Sequence, residues 1–138
     1  ESDRQDALIM VDVDNFKRIN DSYGHDAGDT VLVCLSSIME GLCRRHKVAR
    51  WGGEEFLIVL LGAGKEEALE LAEQIRSEIA DFPIVYNDVT FFCTVTMGLC
   101  AYRRDLSFKQ NVECADHALY CGKKSGKNCT VWNSDCEG

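Results

Sequence analysis

The sequence predicts an α/β sandwich of the α+β kind, a central mixed and mostly antiparallel sheet flanked by helices. Three observations carry that reading. The run Ala7 to Val13 (Ala-Leu-Ile-Met-Val-Asp-Val) is a continuous apolar run broken by Asp12, and it reads as a central strand. Strand-like runs then alternate with three long segments of helical period, giving the coarse order βαββαββαβ. The length of 138 residues suits one domain with one proper core, and no internal repeat or linker divides it.

Taken in order, the first strand ends on Asp12-Val13-Asp14. A carboxylate there is costly to desolvate and calls for a partner. The triplet is not the start of a calcium loop, because Lys17 stands at the sixth position and Tyr23 at the twelfth. Asp14 is expected to cap a short helical segment, Asn15 to Asn20. Asp21 to Gly28 reads as a polar loop, with His25 a hydrogen-bonding loop residue and not a metal ligand. From about Asp26 a long helix carries Val31, Leu32, Leu35, Ile38, Met39 and Leu42 at helical spacing, with Asp26 or Asp29 as its cap or first-turn acid.

The runs His46 to Arg50 and Phe56 to Leu61 suit strands joined through Trp51-Gly52-Gly53-Glu54-Glu55. Two glycines predict a tight turn using positive φ and permitting close approach of a ligand to the backbone. A plain hairpin needs neither the second glycine nor paired acids. We therefore favour a site that admits an anion and holds a cation over an acidic surface turn. Gly62-Ala-Gly-Lys65 is followed by Glu66 and is not a phosphate-binding P-loop. Lys65 to Asp81 is an amphipathic helix ended by Pro83, the only proline. Ile84 to Tyr86 and Val89 to Cys100 read as a second hairpin around Asn87-Asp88, with Thr90, Thr94 and Thr96 alternating with apolar residues. Phe108 to Ser125 is the last helix, Gly126 its C-cap and Thr130 to Trp132 an edge strand. Lys123, Lys124 and Lys127 either complement the helix dipole or bind phosphate.

Composition excludes several classes. A net charge of -8 opposes a nucleic-acid surface. No apolar run approaches the ~20 residues of a membrane span, and no signal-peptide pattern opens the chain. The eight cysteines include no Cys-x-x-Cys pair. We read them as reduced thiols in a cytoplasmic protein, several serving as small buried hydrophobes, and their spacings give no zinc pattern.

The blocks Asp12 to Asp21, Gly24 to Asp29, Val48 to Phe56 and Ala115 to Asn128 together resemble the GGDEF domain of diguanylate cyclases, in the family's order. The resemblance covers nearly the whole chain and makes residues 1–138 a single GGDEF domain. It implies a palm-like fold similar to nucleotidyl cyclases and polymerases. It also implies condensation of two GTP into cyclic di-GMP and pyrophosphate by attack of a 3′-hydroxyl on the α-phosphate. Asp12, Glu54 and Glu55 match the catalytic acids, and Asp12, the Val13 carbonyl and Glu54 match the ligands of Mg²⁺, with Mn²⁺ as the alternative ion. Asn20 and Asp29 match the residues that read guanine. Family members that make mixed dinucleotides are associated with serine at the latter slot, so Asp29 favours GTP over ATP. Phe16, Lys17, Lys123 and Lys127 match phosphate contacts, although the family usually has arginine at the last of these. His25, Leu32, Gly52 and Gly53 fall in the same blocks as substrate-binding positions.

The resemblance further implies a homodimer for catalysis and an upstream sensory or receiver domain, with no membrane contact by this domain itself. The family's Asp-x-Leu-Thr-x-Leu-x-Asn-Arg segment would lie ahead of Glu1, so the chain is expected to be a fragment of a longer protein, one that membrane anchoring of its sensor part would still allow. The family's Arg-x-x-Asp inhibitory slots hold Cys43 and His46, so that inhibitory site is expected to be absent. The rival reading is a degenerate domain that binds GTP or a protein partner without catalysis; the presence of Asp12, Glu54 and Glu55 weighs against it.

Overall fold

The computed structural model describes residues 4–136. Strand β1 (Ala7–Val13) lies at the centre of a five-stranded sheet in the order β2 (Lys47–Arg50), β3 (Glu55–Leu60), β1, β6 (Val95–Ala101), β7 (Thr130–Trp132). β1 runs antiparallel to both neighbours, and among the described residues only β6 and β7 pair in parallel. The mixed, mostly antiparallel sheet is therefore as the sequence predicts.

Alternation along β1 explains the layers. Ala7, Ile9, Val11 and Val13 face the side covered by α2 (His25–Leu42) and α3 (Lys65–Asp81). Leu8 and Met10 face α4 (Phe108–Ser125), against its Val112, Ala115 and Leu119. A strand covered on both faces has no polar face to show, hence the apolar run from Ala7 to Val11. Gly98 on β6 lets α4 lie close: a Cβ there would collide with the Leu119 backbone nitrogen and the Ala115 carbonyl.

Several expectations change. The segment Asp21 to Gly28 is not a loop: α1 runs Phe16–Tyr23 and α2 begins at His25, with only Gly24, at φ 100°, between them. Its polar residues Asp21, Ser22, His25 and Asp26 are exposed, so their polarity reports the solvent face of helix and not the lack of helix. Asp14 does not cap α1, whose N-cap is Asn15 at φ 55° with no side-chain cap hydrogen bond. The run Val89 to Cys100 is two strands. β5 (Val89–Phe91) pairs with β4 (Ile84–Tyr86) in a separate ribbon, turned by Asn87 and Asp88 at φ 48° and 66°, and β6 starts only at Val95. The break falls where the Asp14 N–H donates to the Thr94 carbonyl (2.9 Å).

Neither Gly52 nor Gly53 has positive φ, so the turn they form does not use that freedom. The cysteines are not all free thiols: Cys121 and Cys136 are joined as a disulfide, while Cys34, Cys43, Cys93, Cys100, Cys114 and Cys129 are free. Burial pushes the Cys43 and Cys93 thiols up to about 11 and Cys100 to about 12, which fits their role as small core hydrophobes. Gly126, at φ 127°, does cap α4. No helix among the described residues is long and apolar enough to cross a membrane.

The close fit of α4 on β6 gives a direct test. Gly98→Ala is expected to destabilise the domain by about 1–3 kcal/mol through overpacking, read by urea denaturation. An unchanged midpoint would mean that α4 can lift away at no cost.

Candidate active site

The site grows from the end of β1. Asp12 follows Leu8 and Met10 on the face toward α4, and its register partner on β3 is Glu55. Glu54 precedes it at the end of the Gly-Gly turn, where its carbonyl accepts from the Val13 N–H (3.2 Å). Lys123, near the end of α4, reaches back to Asp12 (3.2 Å) and Asp14 (3.5 Å). One cation thus stands among several acids. The other carboxylate oxygen of Asp12, Oδ1, is buried with no hydrogen-bond partner among the described residues.

The electrostatics follow. Burial holds the Asp12 carboxyl above its ordinary value; Lys123 opposes the shift, and Glu54 and Asp14 add to it. Burial likewise raises Glu55, with Asp12, Asp116 and Glu54 reinforcing it. A folded-state value above the unfolded one means that folding disfavours the ionised form. Stability from that term is present at low pH and is lost as pH rises through the folded value, so at neutral pH both groups cost stability. All the donors are hard carboxylate oxygens, which suits Mg²⁺ and not a soft ion. Among the described residues these acids do not converge within 4.8 Å as a set, so gathering them on a cation takes side-chain movement.

Asp14 has a different role. It is 2% exposed, and its carboxylate accepts from Thr94 Oγ1 (2.7 Å), Thr96 Oγ1 (2.6 Å) and the Asn128 N–H (3.0 Å). These bonds tie the end of β1 to β6 and to the loop after α4. The turn itself is clamped by Arg50, whose guanidinium donates to the carbonyls of Gly52 (3.1 Å) and Gly53 (2.6 Å). A Cβ on Gly52 would sit 3.1 Å from Glu55 Oε1, whereas one on Gly53 would meet open space.

Two further groups flank the acids. Asn20, on α1, has a buried Oδ1 with no hydrogen-bond partner, lying where a Cβ on Gly28 would be. Next in the chain, Asp29 and Leu32 line a cavity of about 450 Å³ with Ser36, Arg50 and Phe56. On the other side, Lys127 donates to Asn15 Oδ1 (2.9 Å) beside the uncapped start of α1. Phe16 packs partly on the core, and His25 is exposed at the start of α2. Lys17 points into solvent, paired among the described residues only with Asp21 (3.4 Å), and is not drawn to the acids of the site.

The fold therefore brings Asp12, Glu54, Glu55 and Lys123 together, sets Asn20 against Gly28, the residue before Asp29, and seats Lys127 at the start of α1. Sequence reasoning left out Asp14, Asp116 and Arg50 as site residues. For Asp116 a signal existed, since it and Lys123 are seven residues apart on one helix and share a face.

The family description "Diguanylate cyclase, GGDEF domain" matches residues 1–129. The chain belongs to the GGDEF family. It is 40% identical over 124 residues to diguanylate cyclase A of Treponema denticola, covering 88% of this chain and 33% of that protein. A diguanylate cyclase of Vibrio cholerae is 38% identical over 134 residues, covering 95% and 41%. The chain thus spans less than half the length of these relatives. Among solved structures, the Pseudomonas aeruginosa diguanylate cyclase SiaD in complex with its activator SiaC superposes with a TM-score of 0.91 at 34% identity, over 96% of this chain and 51% of that one. The GGDEF domain of Caulobacter crescentus DgcB in complex with c-di-GMP gives 0.91 at 27%, over 96% and 80%. The active GGEEF domain of a Vibrio cholerae diguanylate cyclase gives 0.86 at 34%, over 94% and 83%.

The two aspartates at the end of β1 separate by substitution. Asp14→Ala should destabilise the domain by about 3 kcal/mol, because it strands several donors around a vanished charge. Asp12→Asn should leave the metal-free domain equally or more stable at neutral pH, and should abolish any thermal stabilisation by added Mg²⁺. A loss of stability in Asp12→Asn as large as in Asp14→Ala would make Asp12 a structural partner of Lys123.

Proposed function

We propose that this domain condenses two GTP molecules into cyclic di-GMP with release of pyrophosphate. The observation that carries the reading is the buried, unpartnered Asp12 Oδ1 among Glu54, Glu55 and a single lysine. A carboxylate oxygen kept from water without a donor is suited to a cation. The donor set fits Mg²⁺, with Mn²⁺ as the alternative, held by Asp12, the Val13 carbonyl and Glu54. When bound, the ion would neutralise charge at the α-phosphate and lower the pKa of the attacking hydroxyl.

The chain's own residues do the rest. Asn20 Oδ1 and the Asp29 carboxylate accept from the N1–H and N2–H₂ donors of guanine, with Leu32 against the base. Adenine offers no donor at N1, so ATP leaves these acceptors unpaired. The first backbone N–H groups of α1, from Phe16 and Lys17, lie open to the β and γ phosphates, and Lys123 and Lys127 add positive charge there. Gly52 and Gly53 leave room at the turn for substrate. Glu54 takes the proton from the 3′-hydroxyl as its oxygen bonds the α-phosphorus and pyrophosphate leaves; Glu55 supports the acidic cluster. Each domain binds one GTP, so two domains must face each other.

The inhibitory slots support no feedback through that route. Cys43 is buried, and His46 Nδ1 accepts from the Leu61 N–H (2.9 Å), so neither supplies the arginine or aspartate of the motif.

The test is turnover of GTP with Mg²⁺, product identified by mass, over a range of protein concentration. The expected result is cyclic di-GMP formed with steeper than linear dependence on protein, ATP left unconsumed, and a rate unaffected by added cyclic di-GMP. Glu54→Gln should slow turnover by about 10²–10⁴-fold while the fold persists. GTP binding without product would favour the regulatory, non-catalytic reading, and retained activity in Glu54→Gln would remove Glu54 from the chemistry.

A further inference from the structure

On the outer face of α4, away from the acids, His117, Cys121 and Cys136 bring one imidazole and two sulfur atoms within 4.8 Å of one another. We propose that in the reduced chain these three residues form a binding site for a zinc-class divalent cation, and that the Cys121–Cys136 disulfide and the ion are alternative occupants of the same place.

The geometry comes from two elements. His117 and Cys121 are four residues apart on α4, one turn, and so share a face. Cys136 is returned to that face by β7 and the 3₁₀ turn Asn133–Asp135, which place its Cα 6.1 Å from that of Cys121. A tetrahedral ion with bonds of about 2.0–2.3 Å needs ligand atoms about 3.3–3.8 Å apart, within reach of small side-chain adjustments here. A disulfide needs only the two sulfurs; it leaves the imidazole beside them without a use, and a metal site uses all three. The residues border an open cavity of about 480 Å³ that also reaches Lys124 and Asp135. Asp135 is engaged by Lys65 (3.3 Å), and Lys124 lies over the Tyr120 ring (5.4 Å). The fourth position is therefore left to water.

Four of the other six sulfurs are placed elsewhere. Cys43, Cys93 and Cys100 are buried with thiols pushed up, and Cys129 donates to the Gly122 carbonyl. Conversion between the two states balances simply. A dithiol reductant takes on the disulfide bond as its own and leaves two protonated thiols; each then loses its proton as its sulfur bonds the ion. The spacing of the cysteines alone hid this site, because its second ligand pair is a histidine and a cysteine one helical turn apart.

Cobalt(II) added to the whole chain, reduced with a dithiol that is then removed, tests the assignment. The expected result is thiolate-to-cobalt charge transfer with tetrahedral d–d bands, both abolished by added Zn²⁺. The oxidised chain should show neither. Cys136→Ser should lose the charge-transfer signal, and His117→Ala should weaken binding about tenfold or more. Cys114→Ser, on the same helix, should leave the spectrum unchanged. A reduced chain without charge transfer would overturn the proposal. So would a signal that survives Cys136→Ser, or an affinity indifferent to His117→Ala, an exposed position whose change leaves the core intact.

Discussion

The arrangement depends on one imbalance of charge: several carboxylates collected at the end of a buried strand, with Lys123 as the cation among them. β1 cannot slip to relieve it. A shift of one residue would turn Leu8 and Met10 off the α4 side and reverse both faces at once, so the core fixes where Asp12 must stand. Antiparallel pairing then places Glu55 opposite Asp12 on one side and Thr96 on the other. Hydrophobic burial along the strand holds the acids at a position that their mutual repulsion disfavours.

The rest of the fold aims Lys123. α4 is started by a capping box between Ser107 and Gln110, and buried Asn111 fixes the preceding loop by bonds to Arg103 on both its amide groups. Gly98 lets the helix settle on β6, and Gly122 leaves room for the Thr96 methyl, 2.7 Å from where a Cβ would stand. Thr96 in turn donates to Asp14, so packing and hydrogen bonding meet at one residue. Asp14, fully bonded, serves the scaffold; Asp12, half-bonded, is left for chemistry. Two identical side chains separated by one valine, both within reach of Lys123, thus differ in role because Asp14 lies past the end of β1 among the Thr94, Thr96 and Asn128 donors and Asp12 does not.

Much of this was legible in the sequence. The central strand, the three long helices and the mixed sheet follow from apolar periodicity, which tertiary packing reinforces. The Gly-Gly-Glu-Glu turn and Asp12 stood out as chemistry because no purely structural turn needs them. What stayed hidden was set by long-range contacts. Asp14 looked like a local cap because its real donors, Thr94, Thr96 and Asn128, lie 80 or more residues away in the chain. The strand broken at Phe92 to Thr94 was invisible for the same reason. Polar residues in Asp21 to Gly28 look like a loop in the sequence, although a helix whose outer face is solvent needs no apolar residue there. Of the two uses the sequence suggests for the turn glycines, positive φ and close approach, the structure shows no positive φ at either, and it uses Gly52 for space beside Glu55.

The most direct measurement is the titration of the Asp12 and Glu55 side-chain carboxyls by ¹³C NMR, in the free domain and with Mg²⁺ and a non-hydrolysable GTP analogue. The account predicts that both titrate above their ordinary values in the free domain and fall when the cation and nucleotide are present, because an added positive charge favours the ionised forms. Carboxyls that titrate at or below their ordinary values in the free domain would contradict it, since Lys123 alone would then suffice to balance the site.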